Sequence, residues 1–474
     1  MGDTSEHAPG YSVDAGSRPE STWLRELAPW TGRAEDLLTH PRGFRDAAAR
    51  LTAHLLSRHG AAALDRIEDA VQEAFVAAAR SWPLRGTPAS PMAWLTQVAQ
   101  RRYLDLGRPL RRLVLDEATV QAAADPVSAA HQDDHIDAML NDSLDESLRL
   151  LFMCCHPALS RESRIALTLK HVSQLSVEEI ARLLRAEPTA VAQRLVRAKR
   201  TLRDVRATFA VPPAADLPAR LDDVLLVCYA LFTEGHLPTS GDAPLREDLC
   251  VEALRLVEHL RGWPPTALPV THALASLCWL TMARFPARDQ SGSAVPLARQ
   301  DRSRWDPRCL RRGLAAFEMA VQGPHLSRYH LEAHIALLHG TSPSYDETPW
   351  EDIVSDYDRL LALAASPAAE LARAIALAEC GRMTQAQQAL DTLETTIGDW
   401  PEWHATAGAL ALTAGNVPLA VSCYDAALAY PVAAPVRAYW IEQRASALDR
   451  LDPSTREQQS SAHPEAPTTR PTDI

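Results

Sequence analysis

One short stretch carries side chains of the types that read base edges in duplex DNA. Gln193, Arg194 and Arg197, with Lys199 and Arg200 just beyond, recur along one face of a predicted helix that opens at Pro188-Thr189. Gln can pair bidentately with adenine and Arg with guanine in the major groove, while Lys199, Arg200 and Arg203 are better spaced for phosphates. The other face, Val191, Leu195, Ala198 and Leu202, is apolar at the helical period. A shorter predicted helix precedes it, opened by Ser176-Val177-Glu178-Glu179, a spacing at which Ser176 and Glu179 can form a capping box. Arg185-Ala186-Glu187 makes the turn, and Pro188 suits a first helical position. On spacing alone, a helix-turn-helix and an ordinary helix hairpin with a basic face fit equally well.

A second group lies upstream. Arg101 and Arg102, followed by Arg108, Arg111 and Arg112, continue a predicted helix that begins at Pro91 and carries Trp94. Basic residues beside an aromatic can follow a single strand's phosphates while bases stack; the alternative is a core Trp94 with surface arginines. Arg85 and Ser90 sit in the preceding loop, Trp82 to Ser90, which holds two prolines and a glycine. Before that loop, Asp69, Gln72 and Glu73 share or adjoin one exposed helix surface next to Phe75, which taken alone is a solvated face. No G-x-S-x-G, H-E-x-x-H or Gly-rich phosphate loop is present, so no enzyme is expected. Cys154-Cys155-His156 invites a metal reading, but adjacent cysteines rarely share one zinc; burial is expected, with no metal and no cofactor.

The elements that must position these groups are helical. Ala, Leu, Arg and Glu recur with period 3.6, and no alternating β-branched run stands out, so an all-α fold is expected. Helices are predicted near 44–58, 64–81 (ending at Trp82-Pro83) and 91–106, then through a second unit, with Pro212, Pro213 and Pro218 marking a boundary before a long helical region. The implied division is a disordered tail 1–23, a unit 24–112, an acidic linker 113–135, a unit 136–207, a helical domain 208–452 and a disordered tail 453–474. Taken as a total, the formal charge of −12 argues against nucleic acid, an inference that fails once the charge is resolved along the chain. Residues 24–112 carry fourteen basic and nine acidic side chains and residues 148–206 twelve and five, whereas 113–147 hold nine acids and no Lys or Arg. The remainder, 207–474, is acidic. No apolar run is long enough for a membrane span, Met1 to Glu20 is polar, and the eight cysteines form no C-x-x-C, so a cytoplasmic protein is expected.

Together the segments resemble sigma factors of the sigma-70 family, of the compact extracytoplasmic-function type that keeps regions 2 and 4. Glu68 to Phe75 (EDAVQEAF) is similar to the region 2 helix that grips the polymerase clamp, and Ser90 to Ala99 (SPMAWLTQVA) to the adjoining helix that reads the −10 element. Val177 to Ala181 and Arg194 to Arg200 resemble the region 4 motif that reads the −35 element, although Glu187 and Ala190 stand where such helices carry a Ser cap and a Thr. After Asp105, Leu106-Gly107-Arg108-Pro109 breaks the usual basic continuation. The resemblance implies core RNA polymerase, through its clamp and flap regions, and promoter DNA as partners. It assigns Asp69, Gln72, Glu73 and Phe75 to polymerase, Arg85, Ser90, Trp94, Arg101 and Arg102 to −10 DNA, and Thr189, Gln193, Arg194, Arg197, Lys199 and Arg200 to −35 DNA.

The match is closer still to the subgroup with a tetratricopeptide-like C-terminal extension. Leu150 to Leu159, Tyr229 to Gly235 and the run Gln300-Asp301-Arg302-Ser303-Arg304-Trp305-Asp306 carry that resemblance. Within the extension, Ala374 to Ala386 realigns with Gly408 to Ala420 at a shift of 34 residues, the tetratricopeptide period. The expected function is promoter-specific initiation, with the extension modulating activity or binding a protein partner. The competing expectation is a stand-alone helix-turn-helix regulator whose helical repeats sense a ligand or protein.

Overall fold

The structure, a computed structural model, describes residues 37–38, 40–106, 143–184, 186–238, 243–290 and 293–450. The acidic linker, Arg108, Arg111, Arg112 and both predicted tails lie outside the described residues. Nineteen helices follow in chain order among those described. The sole strand pairing among the described residues is a two-residue antiparallel contact, β1 (Asp289–Gln290) with β2 (Ser293–Ala294).

The first three helices are α1 (Pro41–His59), α2 (Leu64–Arg85) and α3 (Pro91–Leu106). On α2, Ile67, Ala70, Val71, Ala74, Phe75 and Ala78 recur at helical spacing and are buried. Trp82 at its end meets Trp94 of α3 edge to face, 5.6 Å between centroids. The expected stop at Trp82-Pro83 is corrected: α2 runs on to Arg85 with Pro83 inside. So close to the terminus, proline forfeits one ladder bond, and Gly86, at φ 84, donates its N–H to the Trp82 carbonyl and closes the turn.

Next come α4 (Ser143–Cys154) and α5 (Arg161–Leu167), a π turn over Thr168–Val172, then α6 (Val177–Leu184) and α7 (Pro188–Asp204). Helix α1 packs on α4, and α5 packs on α7. A single apolar core runs from Leu37 to Ala333, including Leu55, Phe152, Leu195, Phe232 and Leu254.

The remaining helices are α8 (Leu217–His236), α9 (Glu247–Arg261), α10 (Pro269–Met282), the short α11 (Phe285–Arg288), α12 (Pro307–Ala320), α13 (Arg328–Thr341), α14 (Trp350–Leu363), α15 (Pro367–Glu379), α16 (Met383–Ile397), α17 (Pro401–Thr413), α18 (Val417–Leu428) and α19 (Ala434–Asp449). Every residue of α10 from Thr271 to Met282 is buried, as expected for a helix enclosed on all sides. A β-carbon on Gly313 of α12 would meet Leu280 Cγ at 2.6 Å, so glycine sets how closely α12 crosses α10. In the α15/α16 and α17/α18 hairpins, Gly381 and Gly415 take φ of 74 and 78. The following N–H groups of Arg382 and Asn416 reach back to the carbonyls of Leu377 and Ala411, a Schellman ending at both positions that the 34-residue shift aligns. The last helix returns to the β hairpin: α19 packs against β2, and Glu442 takes both Arg299 guanidinium nitrogens at 2.6 and 3.1 Å.

Candidate nucleic-acid and polymerase interface

The helix-turn-helix forms as its caps and apolar face dictate. Ser176 Oγ accepts the Glu179 N–H at 3.1 Å, and Glu179 Oε2 accepts the Ser176 N–H at 2.8 Å, a reciprocal capping box. Helix α7 starts at Pro188, with Glu187 in an extended N-cap conformation that makes no side-chain cap. Val191, Leu195, Ala198 and Leu202 are buried. Thr189, Gln193, Arg197 and Arg200 are exposed on the far side, and Arg194 is half-buried beside them. Arg200 pairs with Asp204, one turn on, at 3.7 Å.

Lys199 departs from this set. Its ammonium sits 2.7 Å from Asp65 and 3.1 Å from Glu68, at the start of α2. Arg203 joins Asp65 at 2.6 Å and Lys170 joins Glu68 at 3.2 Å. Burial works against charge on Glu68, yet the Lys199 and Lys170 ammoniums beside it outweigh this and hold the carboxyl below its usual range. Burial likewise opposes charge on Lys199, but its bonds to Asp65 and Glu68 raise its pKa. Burial, with the two nearby lysines, drives His171 down to about 4 against the pull of Glu68, leaving it neutral. This ionic clasp joins the first helical unit to the second. Its acidic half was missed in the sequence, where Asp65 and Glu68 look like the solvated start of a helix; the only signal is their i, i+3 spacing.

On the first unit, Asp69, Gln72 and Glu73 are exposed on α2. Glu73 lies 3.4 Å from Arg102 on α3, so one assigned polymerase contact and one assigned −10 contact face each other. Phe75 is only 6% exposed and packs edge to face on Phe44 at 4.6 Å. Trp94 is 7% exposed, against Trp82. Both aromatics therefore act from the core, because their helix positions fall on the apolar stripe. Arg85 is exposed in the α2–α3 corner beside Leu84, while Ser90 and Arg101 are half-buried.

The second unit is tied to the extension as well. Arg164 pairs with Asp223, Arg220 donates to the Phe152 carbonyl at 2.7 Å, and Ser173 donates to Glu252. A cavity of about 710 Å³ opens where α1, the π turn and α9 meet, but its lining balances Arg45 with Glu179 and Arg255 with Glu252. Cys154 and Cys155 are fully buried, and burial pushes the Cys155 thiol up to about 12 although Thr168 bonds it. Among the described residues no His, Cys, Asp and Glu side chains gather for a metal ion, and no helix is long and apolar enough to cross a membrane.

Residues 45–113 match Sigma-70 region 2, residues 149–202 match Sigma-70, region 4, and residues 220–321 match a family of unknown function, DUF6596. The chain is 33% identical over 383 residues to an uncharacterized protein of Rhizobium meliloti (strain 1021), covering 79% of this chain and 88% of that one. No solved structure matches. The two matched regions coincide with the helices built above, and a further helical domain follows. The chain belongs to the sigma-70 family, a sigma factor for promoter recognition with regions 2 and 4 and an additional C-terminal helical domain.

Proposed function

We propose that this protein binds core RNA polymerase and directs initiation at its own promoters as a cytoplasmic, extracytoplasmic-function-type sigma factor, doing no covalent chemistry itself. The observation that carries this is the face of exposed Gln193 and Arg197 with half-buried Arg194 between them, on a capped helix-turn-helix of the same chain as the exposed Asp69, Gln72 and Glu73 face of α2. Region 2 meets the clamp through Asp69, Gln72 and Glu73, with Phe75 fixing that surface from beneath. Arg85 and Ser90 hold an unstacked −10 base, Arg101 and Arg102 follow its backbone, and Trp94 supports the corner from the core. Unstacking costs only a few kcal/mol per base, within reach of such contacts. Region 4 reads −35 duplex through Gln193, Arg194 and Arg197, with Thr189, Lys199 and Arg200 on phosphates, and touches the flap.

The Lys199 and Arg203 pairing with Asp65 and Glu68 supports a closed free form. Two of the cations suited to phosphates are neutralised, and the regions sit in contact, too close to span separated promoter elements. Polymerase binding opens the clasp and sets the spacing. The extension, a tetratricopeptide-like domain over 208–452, then modulates activity or binds a partner. Run-off transcription with core enzyme tests the reading: a promoter-dependent transcript is expected, and absence of both transcript and core binding overturns it.

A further inference from the structure

The run Gln300 to Asp306 is unused by promoter recognition, yet the structure spends most of it on one construction. Its two aspartates are local caps: Asp301 accepts the Ser303 N–H at 2.9 Å, and Asp306 accepts the N–H groups of Arg308 and Cys309 at 2.8 and 3.4 Å. Trp305, 4% exposed, lies under two guanidiniums, with Arg302 Cζ 4.7 Å and Arg284 Cζ 5.7 Å from its ring centroid. Arg284 Nε donates to Gln300 Oε1 at 3.2 Å, and Gln300 Nε2 donates to the Val295 carbonyl at 2.9 Å. Arg302 Nη1 donates to the carbonyls of His339 and Ser342. Arg288, one turn past Arg284, completes a triad of arginines, and none of the three has a carboxylate partner among the described residues.

Three buried polar atoms here find no hydrogen-bond partner: Arg302 Nη2, Trp305 Nε1 and His339 Nδ1. Buried polar groups are nearly always satisfied, and a buried cation without an anion is costlier still. The electrostatics agree. Burial and the neighbouring arginines bring Arg284 down to about 9, and burial brings Arg288 to about 10. Burial together with these arginines holds His236 and His339 at about 3, so both imidazoles stay neutral. By contrast, Arg255 and Arg328 of the extension are paired with Glu252 and Glu332.

We propose that Arg284, Arg288 and Arg302, with Trp305 Nε1, form a binding site for a phosphate dianion, free or carried by a small phosphorylated molecule. The cluster offers guanidinium and indole donors around three formal positive charges. A phosphate group matches this with acceptor oxygens on every side and close to two negative charges, whereas a carboxylate brings two oxygens and one charge. The site lies between α10–α11, the Gln300 to Asp306 run and the end of α13, so its occupant ties three segments of the extension together.

Thermal unfolding of the full chain, titrated with inorganic phosphate, with glycerol 3-phosphate, and with acetate or chloride at matched ionic strength, tests this. The expected result is a saturable rise of about 1–2 °C at roughly ten times the dissociation constant for phosphate or its monoester, and none for acetate or chloride. A larger shift with the monoester assigns the occupant to a phosphorylated molecule; an equal or larger one with inorganic phosphate assigns it to the free ion. Arg284→Gln keeps the amide contact to Gln300, removes the phosphate response, and leaves the ligand-free midpoint unchanged or higher because an uncompensated charge is gone. Arg299→Gln, at the Glu442 pair, keeps the response. No shift up to tens of millimolar phosphate, the same shift with acetate, or an undiminished response in Arg284→Gln overturns the proposal.

Discussion

At the scale of single residues, α7 divides its polar side chains between two settings. Arg197 and Gln193 are exposed and free to meet base edges, while Lys199 is spent on Asp65 and Glu68. Arg197→Ala is expected to cost about 1–3 kcal/mol of discrimination at one −35 position, read as relaxed preference in run-off transcription from promoter variants. Asp65→Asn combined with Glu68→Gln removes two carboxylates from the clasp and frees Lys199 and Arg203. Binding of the free protein to promoter duplex should then rise roughly tenfold, with a steeper salt dependence, as measured by fluorescence anisotropy.

Buried imidazoles predict a pH response. His171 falls to about 4 and His236 and His339 to about 3 in the folded chain, against an unfolded value near 6.5. The unfolded chain therefore binds more protons in between, so their contribution is full above about pH 6.5 and drains away as pH falls toward 4 and then 3. Glu68, held below its usual range, adds loss at the acid end, and Lys199, held above its own, loses its pairing only in strong alkali. Urea unfolding between pH 7.5 and 5 should show falling stability, and His171→Gln should flatten part of that slope.

At the scale of elements, caps and close crossings carry the local energy. Ser176→Ala removes a reciprocal cap and is expected to cost about 1 kcal/mol, concentrated in the helix-turn-helix and visible as faster amide exchange in α6. Gly313→Ala forces a methyl to 2.6 Å from Leu280 and should destabilise by about 1–3 kcal/mol in urea unfolding, unless α10 and α12 part. These elements were legible in advance. The α3 start at Pro91, the capping box and the paired turns at Gly381 and Gly415 all follow from residue types within a few positions of one another. The end of α2 was not, because whether proline stops a helix depends on how many ladder bonds remain beyond it, and here one turn sufficed.

At the scale of the whole molecule, regions 2 and 4 and the start of the extension share one core. Helix α4 of region 4 packs against both α1 and α8, and Phe152, 1% exposed, lies at that junction with its carbonyl held by Arg220. A chain ending near Phe209 loses α8 and α9 and uncovers α4 and the π turn. It should express as a less stable, aggregation-prone protein with weaker transcription than the full chain; equal or higher activity and an unchanged unfolding midpoint would show that the shared core is dispensable.

Local chemistry, acting over a helical turn or two, was enough to specify an all-α chain, the basic helix pair with its buried and exposed faces, the alternation of basic and acidic blocks and the repeat of paired helices. Such features depend on periodicity and capping, which the order of residues contains. Folding alone matched Lys199 with Asp65 and Glu68, more than a hundred positions away, turned Phe75 and Trp94 inward, brought Glu442 back to Arg299 and left three arginines of the extension without a carboxylate partner among the described residues. Pairing and burial are properties of packed neighbours, and a charge counted along the chain carries no record of which opposite charge, if any, will lie beside it.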